Sequence, residues 1–330
     1  MAIGTLLAQV VVVLLAARLL GAAFRRIHQP GVVGEMVAGI LLGPSLLGWA
    51  APEVSAFLFP PDSLGPLNAL SQVGLLLFMF LLGLRLDLRL LGSRAPAAVS
   101  ISLASMVVPF GLGVLLGIYL HPRLAPPGVP LTGFALFMGT AMSVTAFPVL
   151  ARIVDERGMM HTRLGTLALA CAALDDVMAW CLLAAVVALV RAGAGSLPPW
   201  AMLAGGAAFV AAMVLGVRPL LARLAARFTA DGRQRDALGI VLLVVLAAAW
   251  TTEALGLHAL FGAFLAGVVM PRDAVVAEAV EGRLEDATVV LLLPLFFAFT
   301  GLRTDVELVV GPGLGGDPLP RHHHAGQKGA

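Results

Sequence analysis

Apolar stretches of membrane-spanning length recur along the whole chain, and the short segments between them hold most of its charged residues. A helix needs about 20 apolar residues to cross the hydrocarbon core of a bilayer. Ten such stretches can be drawn, at about residues 3–20, 31–49, 66–84, 96–119, 131–151, 164–190, 200–221, 237–254, 257–271 and 287–303. Backbone amides in lipid must be satisfied within a helix or a closed barrel. The short alternating strands of a barrel are not seen. The pattern therefore predicts an all-α polytopic membrane protein.

Composition agrees. Hydrophobic residues make up 60% of the chain and charged residues only 12%, against about 25% charged in soluble domains. A soluble protein is excluded. Arginine placement sets the orientation. Arg25 and Arg26, Arg85 to Arg94, Arg152 to Arg163, Arg218 to Arg235, Arg272 and Arg283 fall in alternate connections, and Arg123 and Arg191 in the others. One missed helix would scramble that bias, so the count of ten and an N-terminus outside are read together. The first span has no basic residue before it, which fits an uncleaved span rather than a signal peptide. Lys328 is the only lysine, and Ala and Gly abound. This composition suggests a bacterial source, and with it the inner (plasma) membrane. Cys171 and Cys181 lie too far apart along one helix to pair and read as small packing residues.

The chain repeats itself. Leu75-Leu76-Leu77-Phe78 and Gly83-Leu84-Arg85-Leu86-Asp87 are echoed by Leu293-Pro294-Leu295-Phe296 and Gly301-Leu302-Arg303-Thr304-Asp305. One span earlier, Gly34-Glu35-Met36-Val37-Ala38-Gly39 parallels Gly262-Ala263-Phe264-Leu265-Ala266-Gly267. Spans 2 and 3 thus recur as spans 9 and 10. The offset is odd, so the second copy is inverted, as in secondary transporters whose site lies where the repeats meet. Spans 4 to 6 should then recur beyond span 10. The sequence from Gly311 is instead a Gly-, Pro- and His-rich polar tail, so residues 1–310 are expected to form the membrane domain and 311–330 a disordered tail. The missing half of the repeat favours a truncated product over a genuine short form. His322 to His324 read as part of the tail rather than as a metal site.

Asp175 and Asp176 sit in the middle of the sixth span. A single Asp at a helix centre costs on the order of 3 kcal/mol on insertion scales, and intramembrane acids mark functional sites. Two side by side add like-charge repulsion. Neighbours on a helix point about 100° apart, so both can border one cavity without being equivalent. One is expected to face an ion path and the other a wall or partner. The fifth span supplies a second part, Thr140-Ala141-Met142-Ser143-Val144-Thr145-Ala146-Phe147-Pro148. Pro148 removes the partner of the Val144 carbonyl and loosens the helix. Freed carbonyls, the hydroxyls of Thr140, Ser143 and Thr145, and a carboxylate are the hard oxygen ligands that a dehydrated Na⁺ or K⁺ requires. Glu35 is expected at the interface, Trp49 and Trp200 as interfacial anchors, Trp180 in packing, and Glu253 with His258 in an outer loop rather than a gate. The arginines from 218 to 235 are a topology signal, not a nucleic-acid patch. There is no phosphate loop, dinucleotide fingerprint or nucleophile–base set, so neither a cofactor nor an enzyme is expected.

Val33-Gly34-Glu35-Met36-Val37-Ala38-Gly39-Ile40-Leu41-Leu42-Gly43-Pro44-Ser45-Leu46-Leu47-Gly48 resembles the second-helix signature of the monovalent cation:proton antiporter-2 family, which includes Kef-type and Nap-type exchangers and plant cation/H⁺ exchangers. Thr145 to Arg152 looks like its broken helix, Asp175-Asp176 its paired acids, and Leu293-Pro294-Leu295-Phe296-Phe297 with Gly301 a later helix. The resemblance covers about residues 5–310. It implies an inverted-repeat antiporter fold of thirteen helices, of which about ten are present, a homodimer, and elevator-like exchange of Na⁺ or K⁺ for H⁺. It further implies that Asp176 binds ion or proton alternately, with Asp175 beside it and Thr145 behind. The family's basic residue near the acids and its second broken helix have no counterpart here. The competing expectation is therefore a non-transporting remnant or a partner subunit of an intact antiporter.

Overall fold

The computed structural model describes residues 2–86, 95–126, 128–160, 162–190, 199–230, 234–271 and 274–304. All regular structure among them is helical. Helix α1 (Ala2–Arg26) is followed by α2 (Gly31–Leu42), which continues past Gly43 as a π-helical turn, Pro44–Gly48. A short α3 (Pro52–Leu58) leads to α4 (Leu64–Arg85). Then come α5 (Ala95–Leu124), α6 (Leu131–Ser143), α7 (Phe147–Glu156) and α8 (Arg163–Val190). Helix α9 (Pro199–Ala212) runs through a π-helical stretch into α10 (Arg218–Ala230). Helices α11 (Gln234–Ala254), α12 (Ala259–Val268), α13 (Ala274–Asp286) and α14 (Leu293–Leu302) complete the described chain.

All ten predicted spans fall on helix, the fifth being divided between α6 and α7. Helices α3 and α13 were not expected, because both lie in connections between apolar runs. The chain is a multi-pass membrane protein, with helical stretches such as 3–26, 52–85 and 99–124 long and apolar enough to cross. Its outer faces confirm a lipid-facing surface. Ile3, Leu7, Val11, Leu15 and Leu19 follow one another at i,i+4 along α1 and are all exposed, whereas Val13 and Ala17 are buried. Trp49 and Trp200 are exposed at helix ends. Asp87, Asp305 and the tail from Gly311 lie outside the described residues, as does the side chain of Trp180.

The helices form two groups. Helices α1, α2, α4, α11, α12 and α14 pack together, and α5, α6 and α8 form a second group. Helix α7 touches α8 on one side and α2 and α4 on the other.

The first group carries the inverted repeat in its packing. Gly39 on α2 lies so close to α14 that an added Cβ would overlap the Ala298 carbonyl oxygen, and Gly301 on α14 abuts the Met36 carbonyl of α2. The equivalent crossing in the other copy pairs Gly267 on α12 with the Phe80 carbonyl of α4, and Gly83 on α4 with the Phe264 carbonyl of α12. A third equivalence extends the repeat by one helix: Gly34 meets Leu20 of α1, and Gly262 meets Ala248 of α11. So α1, α2 and α4 match α11, α12 and α14. Small residues let helix backbones approach where lipid supplies no hydrophobic drive between helices. The same glycines serve twice because the two crossings are one contact seen from opposite sides of the membrane.

Adding a methyl at these crossings pushes backbone against backbone, and overpacking of this kind costs about 1–3 kcal/mol. Gly39→Ala and Gly267→Ala are expected to lower the thermal unfolding midpoint of the purified chain in detergent, each to a similar extent. Gly111→Ala, whose Cβ would meet nothing within 4 Å, is expected to leave it unchanged or raise it slightly.

Candidate functional site

Helix α6 ends at Ser143, and Val144 (φ −80°, ψ 125°) and Ala146 (φ −76°, ψ 98°) are extended before α7 begins at Phe147. The sequence predicted a helix loosened and broken near Pro148, and the structure places the break at residues 144–146. Pro148 takes the second position of α7, where its missing N–H is no loss and its fixed φ suits the first turn. The N-terminus of α7 therefore opens inside the fold, with the Phe147 N–H outside the helix's own ladder and the positive end of a helix dipole.

That N-terminus meets the acid pair. The Phe147 N–H donates to the Asp176 carboxylate. Asp176 is half-buried and lines a small cavity of about 20 Å³ with Met79, Phe147, Ala173, Leu257, His258, Leu260, Phe261 and Phe264. The cavity lies at the seam between the two helix groups: α7 and α8 provide one wall, α4 and the start of α12 the other. Phe147 and Phe264 meet edge-on across it, ring centroids 5.2 Å apart.

Asp175 points elsewhere. It is buried, and its Oδ1 accepts a short hydrogen bond from Ser102 Oγ of α5. Ser105 Oγ approaches Oδ2 at 3.3 Å. One acid is thus tied to a neighbouring helix while the other faces the cavity, the inequivalence that adjacent helical positions require. Ser102, Ser105, Phe147 and His258 were not picked out as site residues from the sequence. The serines sit one turn apart in a long apolar helix, where serine is unremarkable unless its partner is known.

The hydroxyl residues are placed differently from expectation. Thr140 Oγ1 donates to the Leu136 carbonyl at 2.9 Å and Ser143 Oγ to the Thr140 carbonyl at 3.0 Å, both buried against their own helix. Thr145 is exposed in the unwound segment rather than packed behind the carboxylates. The donors of Thr140 and Ser143 are used locally, which leaves their oxygens as acceptors.

At its other end, α7 enters a charged cluster. Arg152 Nε lies 3.2 Å from Glu156, Nη1 3.8 Å from Asp155 and Nη2 4.0 Å from Glu35. Glu35 is buried, not interfacial, because α7 brings Arg152 to it. Arg85 at the end of α4 bonds Glu281 (2.6 Å) and Glu285 (2.5 Å) of α13 and reaches Asp155 at 3.4 Å. Glu156 Oε2 accepts the Gly31 N–H at 2.8 Å, capping α2. These pairs link α7 to α2, α4 and α13 on the Arg-rich face. Cys171 is buried on α8.

Comparison with known proteins bears on the family and the fold. The family profile described as sodium/hydrogen exchanger, transmembrane, matches residues 11–320. The chain is 38% identical over 313 residues to the Na⁺/H⁺ antiporter NhaS4 of Synechocystis, covering 94% of this chain and 76% of that protein. It is 41% identical over 312 residues to cation/H⁺ antiporter 17 of Arabidopsis thaliana, covering 94% of this chain but only 38% of the plant protein. It is 32% identical to K⁺/H⁺ antiporter 1 of Saccharomyces cerevisiae, over 91% of this chain and 35% of the yeast protein. In fold it is similar to the sodium proton antiporter MjNhaP1 of Methanocaldococcus jannaschii, with a TM-score of 0.50 at 13% identity, over 94% of this chain and 73% of that one.

Leaving a buried carboxylate short of a donor costs about 1–3 kcal/mol. Ser102→Ala is therefore expected to destabilise the purified chain by that amount in a thermal or denaturant melt, and Ser105→Ala, at the longer distance, by less.

Proposed function

The chain belongs to the transmembrane sodium/hydrogen exchanger family, and from that membership we propose that it exchanges a monovalent cation, Na⁺ or K⁺, for H⁺ through the Asp175–Asp176 pair. The observation that carries this reading is Asp176 in a nearly apolar cavity at the mouth of a broken helix. An ionised carboxylate in such surroundings needs a counter-charge or a proton. A cavity of about 20 Å³ has room for one water-sized occupant. Cation and proton then compete for one carboxylate, and each can be carried only when the other has left.

Asp176 is the alternating ligand in this scheme. The Phe147 N–H and the α7 dipole make its ionised state tolerable between occupants. Asp175, held by Ser102 and Ser105, contributes field rather than direct ligation. The extended backbone at 144–146 and the oxygens of Thr145, Ser143 and Thr140 supply further hard ligands as the cation sheds water. We further propose a homodimer in a bacterial inner membrane with the N-terminus outside, an orientation supported by the arginine bias.

The test is ion exchange in inverted membrane vesicles or proteoliposomes holding the full chain. Addition of Na⁺ or K⁺ is expected to dissipate a preformed pH gradient, and Asp176→Asn to abolish that response. A wild-type chain that folds but moves no protons with any alkali cation, or a variant that exchanges normally, overturns the proposal. Cation flux indifferent to the pH gradient would point to a channel instead.

A further inference from the structure

Phenylalanine rings make up much of the wall around the Asp176 cavity: Phe147, Phe261 and Phe264, with Met79, Leu257 and Leu260 beside them. Phe147 and Phe264 are the pair that spans the seam. Phe147 opens α7 on one side of the cavity, and Phe264 lies in α12 on the other. Both are buried, and their edge-on contact, 5.2 Å between centroids, bridges the two walls. Neither ring has room to retreat. The main chain of Phe264 is pinned at a glycine crossing, its carbonyl pressed against Gly83 of α4. Phe147 is pinned by its N–H on Asp176 and by the proline that follows it. Met79 is the flexible member of the wall, but it is 1% exposed, and a packed interior leaves such a side chain little space to swing into.

The internal repeat separates the ring from the crossing. Gly34-Glu35-Met36 aligns with Gly262-Ala263-Phe264, so Met36 holds the equivalent position in the first copy. The carbonyl of Met36 abuts Gly301 as that of Phe264 abuts Gly83. The crossing therefore asks only for a main-chain carbonyl, and a half-buried Met supplies it in the first copy. What the second copy adds is an aromatic ring, and that ring stands in the wall of the acid cavity.

Resting on the exchange reading above, we infer that Phe264, closing on Phe147, sets the largest cation that the site can carry. A cavity of about 20 Å³ holds one water-sized occupant. Bare Na⁺ and K⁺ are no larger than a water molecule; Rb⁺ and Cs⁺ are larger. A cation that fits beside Asp176 lets the two rings meet and is enclosed. One that does not fit holds the rings apart, the two helix groups cannot close on it, and it leaves by the side from which it came. An ion that keeps a water molecule is oversized in the same way. Selection thus falls on the step that encloses the ion, and it is made by apolar walls rather than by the carboxylate.

The experiment is the pH-gradient assay in proteoliposomes of the full chain at one fixed pH, with the chlorides of Na⁺, K⁺, Rb⁺ and Cs⁺ and with protein-free vesicles subtracted. The wild type is expected to respond to Na⁺ or K⁺ at concentrations about tenfold below those needed for Cs⁺, the discrimination that an apolar pocket gives for about one methylene of size. Phe264→Ala is expected to cut that ratio about tenfold by admitting Cs⁺. Phe264→Leu keeps the position apolar and filled should the alanine variant not fold, and is expected to shift the ratio the same way by less. Leu265→Ala empties the neighbouring buried position, which does not line the cavity, and is expected to leave the ratio unchanged. The cation order of a variant that folds without turning over is read from cation-dependent thermal stabilisation of the purified chain. A wild type that uses Cs⁺ as readily as K⁺, or Phe264 variants that discriminate as the wild type does, overturns the inference and leaves the exchange reading standing. An equal change in Leu265→Ala assigns the effect to general loosening and overturns it too. A wild type that moves no protons with any of the four cations overturns both.

Discussion

A carboxylate cannot remain both ionised and alone among hydrocarbon groups, and the site is arranged around that constraint. The cost of burying a carboxylate is answered here in two different ways. Asp175 is answered permanently, by serine hydroxyls on a neighbouring helix. Asp176 is answered only in part, by one backbone N–H at the start of α7. What is left over is a standing demand for positive charge in a space too small for more than one bearer of it. Breaking the α6–α7 helix is what makes the partial answer available, because an unbroken helix would keep its amides for its own carbonyls.

Much of this was legible in the sequence because membrane burial leaves a strong periodic trace. Spans announce themselves by length, and two charged residues in the middle of one are conspicuous by their cost. The repeat was legible because a backbone-to-backbone crossing accepts only glycine, so Gly39, Gly83, Gly267 and Gly301 are marked by sterics as much as by descent. The illegible parts depend on partners far away in sequence. Nothing local distinguishes Ser102 from any small residue in α5, or says that Glu35 will be buried by Arg152. The break itself was legible from Pro148 and the hydroxyl residues before it, but its placement at 144–146 depends on where α7 finds a partner for its first amide. Helix α13 was missed because it is held by Arg85 rather than by a long apolar run. Orientation about a helix axis, which brings His258 to the cavity, cannot be read from composition.

The repeat also explains an asymmetry in the fold. Helices α1, α2 and α4 find their inverted counterparts in α11, α12 and α14, and the six close on themselves through glycine contacts. Helices α5, α6 and α8 have no such counterpart among the described residues. The acids lie on the unpaired side of that division and look across the seam at the paired side. The cavity is consequently a boundary feature, with walls contributed by two groups whose internal packing is tighter than their contact with each other.

That seam has an uneven character along its length. At the cavity it is aromatic and apolar, Phe147 against Phe264, a surface with no bond to break when one side slides on the other. At the Arg-rich face it is crossed by Arg85–Asp155, Arg152–Glu35 and Glu156 on the Gly31 amide. The partly buried Arg85–Asp155 pair is the more open to screening by dissolved electrolyte, whose screening length is about 10 Å near 0.1 M, while the buried Arg152–Glu35 pair is screened much less. Any displacement of one group against the other therefore becomes easier as ionic strength rises. Under the proposed exchange, the concentration of the transported ion is also the solvent condition that loosens this frame. Saturation curves taken by adding that ion report occupancy and mechanical ease together, unless an impermeant salt holds the screening constant.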